Sequence, residues 1–195
     1  MVAHLKASIR LIDCRNAALL QIGFFGAFRR SELVSLTWEN IHFVPEGVEI
    51  LIPHSKTDQG NEGQVCAIPY GNDTLCPVSA LLEWKNRSQA QSTYVFCRVN
   101  RDSIGISSLN ANQVNEIIKS LAAACELPNA ESYSSHSLRR GFATEASRKG
   151  ASFGTIMRQG RWRHEGTVLE YIDEGKRFDQ NAAGIVLDTI PSKVD

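Results

Sequence analysis

Between His136 and Tyr171 the chain sets a histidine, two adjacent arginines, an indole and a phenol in fixed order. Any fold for this sequence has to place those groups where they are of use. The run opens His136-Ser-Leu-Arg139-Arg140-Gly, passes through Gly160-Arg-Trp162 and closes on Leu169-Glu-Tyr171-Ile. Ser134 and Ser135 come just ahead of it. Serine before an apolar-periodic run is a helix N-cap signal, so a helix is predicted from here to about Lys149, stopped by Gly150. On that helix His136 and Arg139 share a face, and Arg140 is turned about 100° away. A titratable imidazole and a permanent cation then occupy the first turn, where unpaired backbone N–H groups and the helix dipole already favour an anion. An H-x-x-R at a helix start is common on solvated surfaces. Here, however, Arg148, Lys149, Arg158, Arg161 and Arg163 follow it, answered across the span only by Glu145. The segment is a positive island in a chain whose net charge is zero.

The zero net charge and a pI of about 7.0 count against an ordinary basic nucleic-acid binder. The objection is limited, because affinity for a polyanion depends on where the cations stand. At 195 residues and 43% hydrophobic content the chain supports one substantial core, and a single domain is expected. Cys14, Cys66, Cys76, Cys97 and Cys125 are odd in number, widely spaced and free of any C-x-x-C pair. That pattern predicts reduced thiols in an intracellular protein, with neither a disulfide frame nor a zinc site. No secretory signal pattern and no apolar run near roughly 18 residues is present, so a soluble chain is expected.

Along the chain, Asp13 to Phe28 predicts a helix packed on nearly all sides. The pattern then breaks at Arg29-Arg30-Ser31-Glu32. With Ser31 capping a second helix, Glu32 lies in its first turn and can reach back to orient a guanidinium, and Arg29 is the one three residues away. An exposed Arg29–Glu32 ion pair with no further role is the alternative. Ile41–Val44, Val48–Pro53 and Gln64–Pro69 are short, rich in β-branched residues and separated by turn residues, which predicts one small antiparallel sheet. Its longer connection carries His54-Ser55-Lys56-Thr57-Asp58. Cys76-Pro77 opens a helix to about Arg87, Tyr94–Cys97 is a short apolar run, and Asn110–Cys125 is an amphipathic helix closed by Leu127-Pro128. Helices near Ser152–Gln159, Thr167–Ile172 and Phe178–Leu187 complete a mainly α chain with a small antiparallel β-sheet, an α+β fold.

Six segments taken in order carry a family resemblance: Ala27-Phe-Arg29-Arg-Ser-Glu32-Leu, Ser55-Lys56-Thr57, Leu75-Cys-Pro-Val-Ser-Ala-Leu, His136-Ser-Leu-Arg139-Arg-Gly-Phe-Ala-Thr, Gly160-Arg-Trp162 and Tyr171-Ile. Together the chain resembles the tyrosine recombinase (phage integrase) family over roughly Asn16 to Val186. Trp162, where many members have a second histidine, is similar to the Cre-like branch.

The resemblance implies a catalytic-domain fold and a DNA strand-breaking and rejoining activity that needs no metal, cofactor or ATP. It implies Tyr171 as nucleophile forming a 3′-phosphotyrosyl link, with Arg29 and Arg139 gripping the non-bridging oxygens. Lys56 is implied as proton donor to the departing 5′-oxygen, His136 as acid/base partner, Trp162 as an indole N–H donor to phosphate, and Glu32 as support for Arg29. It further implies double-stranded DNA as partner, a homo-tetramer on DNA formed by a chain monomeric in solution, no membrane, and a cytoplasmic, nucleoid-associated site of action. The terminal helix at Phe178–Leu187 would dock on a neighbouring subunit or pack on its own domain. The family places a helical DNA clamp before this domain. Here residues 1–195 are expected to be the catalytic domain alone, behind a short leader over residues 1–12. A DNA-binding relative without catalysis and a type IB topoisomerase-like nicking and closing enzyme are the alternatives.

Overall fold

The computed structural model describes residues 1–52, 63–101 and 103–175, together with Ala183 and Val186. In chain order the elements are α1 (Val2–Lys6), α2 (Leu11–Phe25), α3 (Arg30–Ser35), β1 (Ile41–Val44), β2 (Gly47–Ile52), β3 (Gln64–Pro69), α4 (Pro77–Ser88), β4 (Cys97–Asn100), β5 (Ser103–Ser108), α5 (Ala111–Ala124), α6 (Ser135–Arg148), α7 (Phe153–Gly160) and α8 (Glu165–Gly175). The chain divides into two compact units, Met1–Arg139 and Arg140–Asp195, and the division falls inside α6. The fold class is the expected one, mainly helical with small antiparallel sheets.

The first unit is built around α2. Every residue from Cys14 to Gly23 is buried, as its unbroken apolar character requires, and α1 and α4 pack against it. Burial on all sides leaves the polar residues of α2 in need of partners. The Arg15 guanidinium donates to the Asn16 side-chain oxygen and, at 3.0 Å, to the carbonyl of Cys97, tying α2 to β4. Burial pushes its pKa down to about 10. Trp84 of α4 is wholly buried, and its indole N–H donates to the Val95 carbonyl at 2.7 Å. β1, β2 and β3 pair antiparallel in that order, in a register that sets Ile50 opposite Ile41 and Cys66. The period-2 alternation turns Val48, Ile50, Ile52, Cys66 and Ile68 inward.

Several boundaries differ from the sequence expectations. Residues 1–12, expected to be a leader, hold α1 and the start of α2, and Leu5 is part of the core. The first long helix runs Leu11–Phe25, not Asp13–Phe28, because the backbone turns left-handed at Ala27 (φ 46°). A second sheet, β4 with β5, was not expected. Arg98, Asn100, Ser103, Ser107 and Ser108 interrupt its β-branched residues Val99, Ile104 and Ile106, and only Cys97 of the apolar run Tyr94–Cys97 enters it. The last helix of the described chain, α8, is longer than Thr167–Ile172 at both ends.

The helices expected near Asn110–Cys125 and Ser152–Gln159 form, and α6 ends where expected. Asn110 caps α5 by accepting from the Asn112 and Gln113 N–H groups at 2.8 and 3.0 Å, Ser152 caps α7, and Gly150 (φ 85°) follows the end of α6. In the second unit a small cluster of Ala143, Ile156, Val168 and Tyr171 is buried between α6, α7 and α8. The expected helix at Phe178–Leu187 lies almost wholly outside the described residues. All five cysteines are free thiols. Among the described residues no helix is long and apolar enough to cross a membrane.

Candidate active site

The first unit presents a cavity of about 360 Å³ lined by Phe28, Arg29, Arg30, Asn115, Ser134, Ser135, His136 and Arg139. Its floor begins at the end of α2. The Ala27 N–H donates to Phe24 at 2.9 Å and the Phe28 N–H to Gly23 at 3.1 Å, a helix-ending turn that folds the buried Phe28 ring back over Gly26. A Cβ at Gly26 would lie 2.1 Å from the Phe28 ring, so only glycine admits this fold-back. The turn aims the Ala27 carbonyl at Arg139, whose Nη1 donates to it. Arg139 is 4% exposed, so a guanidinium is held at the cavity by packing as well as by that bond.

Arg29 follows directly. It is the N-cap of α3 in extended backbone (ψ 150°), and the helix starts at Arg30, so Ser31 is not the cap the sequence suggested. The reversal over Gly26 and the anchoring of Phe28 decide where the helix begins. Glu32 then stands at the third helical position. Its Oε2 accepts the Arg29 N–H at 2.9 Å and its Oε1 accepts from Arg29 Nη1 at 2.5 Å. One carboxylate thus caps the helix and orients the side chain of its own cap residue. Arg29 remains about half exposed, at 49% of its side chain, and open to a ligand. His136, exposed, and Arg139, buried, stand one turn apart on α6, as their spacing required.

The second unit holds Trp162 and Tyr171, with ring centroids 6.5 Å apart in an edge-on arrangement. Tyr171 is 8% exposed in its cluster, and Trp162 packs against that cluster. The local cause is the end of α7. Arg161 is left-handed (φ 55°), its N–H donates to Arg158 at 3.2 Å, and the Trp162 N–H donates to Met157 at 3.1 Å, so the indole folds back across Gly160. A Cβ on Gly160 would lie 1.7 Å from Trp162 Cζ3. Gly160→Ala therefore has to push the indole off the helix end, an overpacking cost of about 1–3 kcal/mol. A melt followed by circular dichroism should show a Tm lower by about 2–12 °C at this chain length. An unchanged Tm would contradict the indole's position.

The structure thus brings Arg29, His136 and Arg139 to one cavity, with Glu32 bonded to Arg29, and packs Trp162 with Tyr171 in the second unit. Lys56 lies outside the described residues. Sequence reasoning missed Arg30, Phe28, Asn115 and the Ala27 carbonyl. Gly26 just past an apolar helix was a signal for the turn, whereas nothing local marks Asn115, which reaches the cavity from α5.

The profile of the Phage integrase family matches residues 1–177. The chain is 39% identical over 184 residues to an integrase/recombinase xerD homolog of Selenomonas ruminantium, a match covering 93% of this chain and 54% of that protein. It is 25% identical over 179 residues to recombinase cre of Escherichia phage P1, covering 86% and 52%. The chain spans about half the length of these curated relatives. Among solved structures, the XerH site-specific recombinase in its post-cleavage complex with palindromic difH substrate superposes with a TM-score of 0.71 at 17% identity, over 96% of this chain and 50% of that one. A lambda integrase dimer bound to a COC' core site gives 0.61 at 16%, over 89% and 56%. At such identities the structural likeness is one of fold.

Proposed function

This chain belongs to the phage integrase family, and from that premise we propose that it is the catalytic part of a site-specific recombinase that cuts and rejoins duplex DNA through Tyr171. The Tyr171 oxygen attacks a backbone phosphorus and the bond to the 5′-oxygen breaks, leaving a 3′-phosphotyrosyl link. The tyrosine's proton passes to His136, and Lys56 supplies a proton to the departing 5′-oxygen. Attack by a 5′-hydroxyl from another strand reverses the step and releases Tyr171. The covalent phosphodiester conserves the bond energy, so rejoining needs no ATP.

Arg29 and Arg139 hold the two non-bridging oxygens and stabilise the charge that builds on them, a task for which planar, bidentate donors suit better than lysine. Trp162 donates its indole N–H to the same phosphate, which allies the chain with the Cre-like branch. The partner is double-stranded DNA, on which the protein acts as a homo-tetramer in the cytoplasm, at the nucleoid. The observation that carries this reading is the single cavity shared by Arg29, His136 and Arg139, which brings two guanidiniums and an imidazole together.

The experiment is incubation with nicked candidate attachment-site DNA, in which loss of the short fragment after cleavage prevents rejoining. A denaturing gel and peptide mapping follow. A covalent adduct on the peptide containing Tyr171 is the expected product. An adduct on another residue, or none on any candidate site, would defeat the reading.

A further inference from the structure

Asn115 stands on α5, which carries none of the residues assigned to the chemistry, yet it lines the cavity beside His136 and Arg139. Its Oδ1 accepts the backbone N–H of Ser135 at 3.0 Å. Ser135 is the first residue of α6, and its N–H is one of those a helix start leaves without an intrahelical partner. The Ser134 N–H donates to the Ser137 hydroxyl at 3.1 Å, and the side-chain acceptor for the first N–H of α6 comes from another helix, twenty residues earlier in the chain. Arg30, which also lines the cavity, donates from Nη1 to Asn112 of α5 at 3.1 Å.

We infer that Asn115 is a positioning residue for the proposed cleavage reaction. By pinning the Ser135 N–H it fixes where α6 starts, and so where His136 and Arg139 stand toward a bound phosphate. This rests on the function proposed above. Within the first unit, the start of the helix that carries the imidazole and a guanidinium is held by the Asn115 bond and, one turn on, by the Arg139 bond to Ala27. A displacement of about 1 Å in such a site is enough to cost on the order of a hundredfold in rate. The loss of one hydrogen bond is thus amplified in catalysis well beyond its effect on folding.

The bond can be removed from either end. Asn115→Leu deletes the acceptor at nearly constant size. Ser135→Pro deletes the donor at the first helical position, where proline is well tolerated. For each variant and the pair, the rate of adduct formation on nicked DNA at saturating chain is measured beside DNA affinity, Tm and the backbone NMR spectrum. Each single variant is expected to cleave bound DNA about ten- to a hundredfold more slowly, with affinity changed less than about threefold. The double variant is expected to be no slower than the worse single, because both remove one interaction. In Asn115→Leu the Ser135 amide resonance should move upfield, which shows the bond broken even if Ser135→Pro folds poorly. A cleavage rate for Asn115→Leu within about threefold of the unmodified chain, with the Ser135 amide shifted, overturns the inference while leaving the proposed function standing. An unshifted Ser135 amide overturns it too. Absence of any adduct with the unmodified chain overturns the proposed function and this inference with it.

Discussion

Tyr171→Phe is expected to abolish the covalent DNA adduct of the proposed reaction while leaving the fold in place. The substitution removes only the hydroxyl. The ring keeps its edge-on contact with Trp162 and its burial beside Ala143, Ile156 and Val168. The expected stability change is at most about 1.5 kcal/mol, the scale of one hydrogen bond, whereas the loss of adduct is complete, since phenylalanine has no nucleophilic atom. DNA affinity should be unchanged within about twofold, because a neutral hydroxyl contributes nothing to the salt-dependent attraction for phosphates. Persistence of a protein–DNA adduct in the phenylalanine chain would place the nucleophile elsewhere. A collapse of Tm by contrast would assign the hydroxyl a structural part in the α7–α8 cluster.

Arg139→Lys should lower adduct formation by about a hundred- to a thousandfold, the usual effect of removing one donor to developing oxyanion charge. Arg139 is buried, lines the cavity and donates from Nη1 of its planar guanidinium to the Ala27 carbonyl. A lysine keeps the charge, but its compact ammonium cannot hold the Ala27 carbonyl and span two phosphate oxygens in one plane. Binding to DNA, which depends on charge, should therefore fall far less than cleavage. The measurement is single-turnover cleavage at saturating chain, with affinity determined separately at two salt concentrations. Equal losses of affinity and rate would mean that Arg139 only attracts DNA. A rate within threefold of the unmodified chain would remove it from the chemistry.

How much of this was legible in the sequence varied with the kind of signal. Helix starts marked by Asn110, by Ser152 and by Cys76-Pro77 were legible because a cap is a local transaction between neighbours in sequence. The three-stranded sheet was legible because alternation in β2 and β3 separates a buried face from an exposed one. The β4–β5 pair was not, since its strands show no regular alternation of a buried and an exposed face and are defined by each other. The start of α3 was misplaced because Phe28, anchored over Gly26, overrides the serine signal, and that contact runs through space. In the site, His136 and Arg139 were legible from helical spacing, and Arg29 from its distance to Glu32. The support beneath them was not. The Ala27 carbonyl is a backbone atom, displayed by a left-handed turn, and Asn115 comes from a helix whose own pattern only says which face is core.

The account depends most on Arg29, His136 and Arg139 forming one anion site. Its most direct test is a titration of the chain with inorganic phosphate, followed by NMR of the arginine Nε–H groups and the histidine rings. The Arg29 and Arg139 Nε–H signals and the His136 ring are expected to shift together, along a single binding curve, while His4 and His42 stay still. Separate curves for the three residues, or shifts no larger than those of His4 and His42, would contradict it.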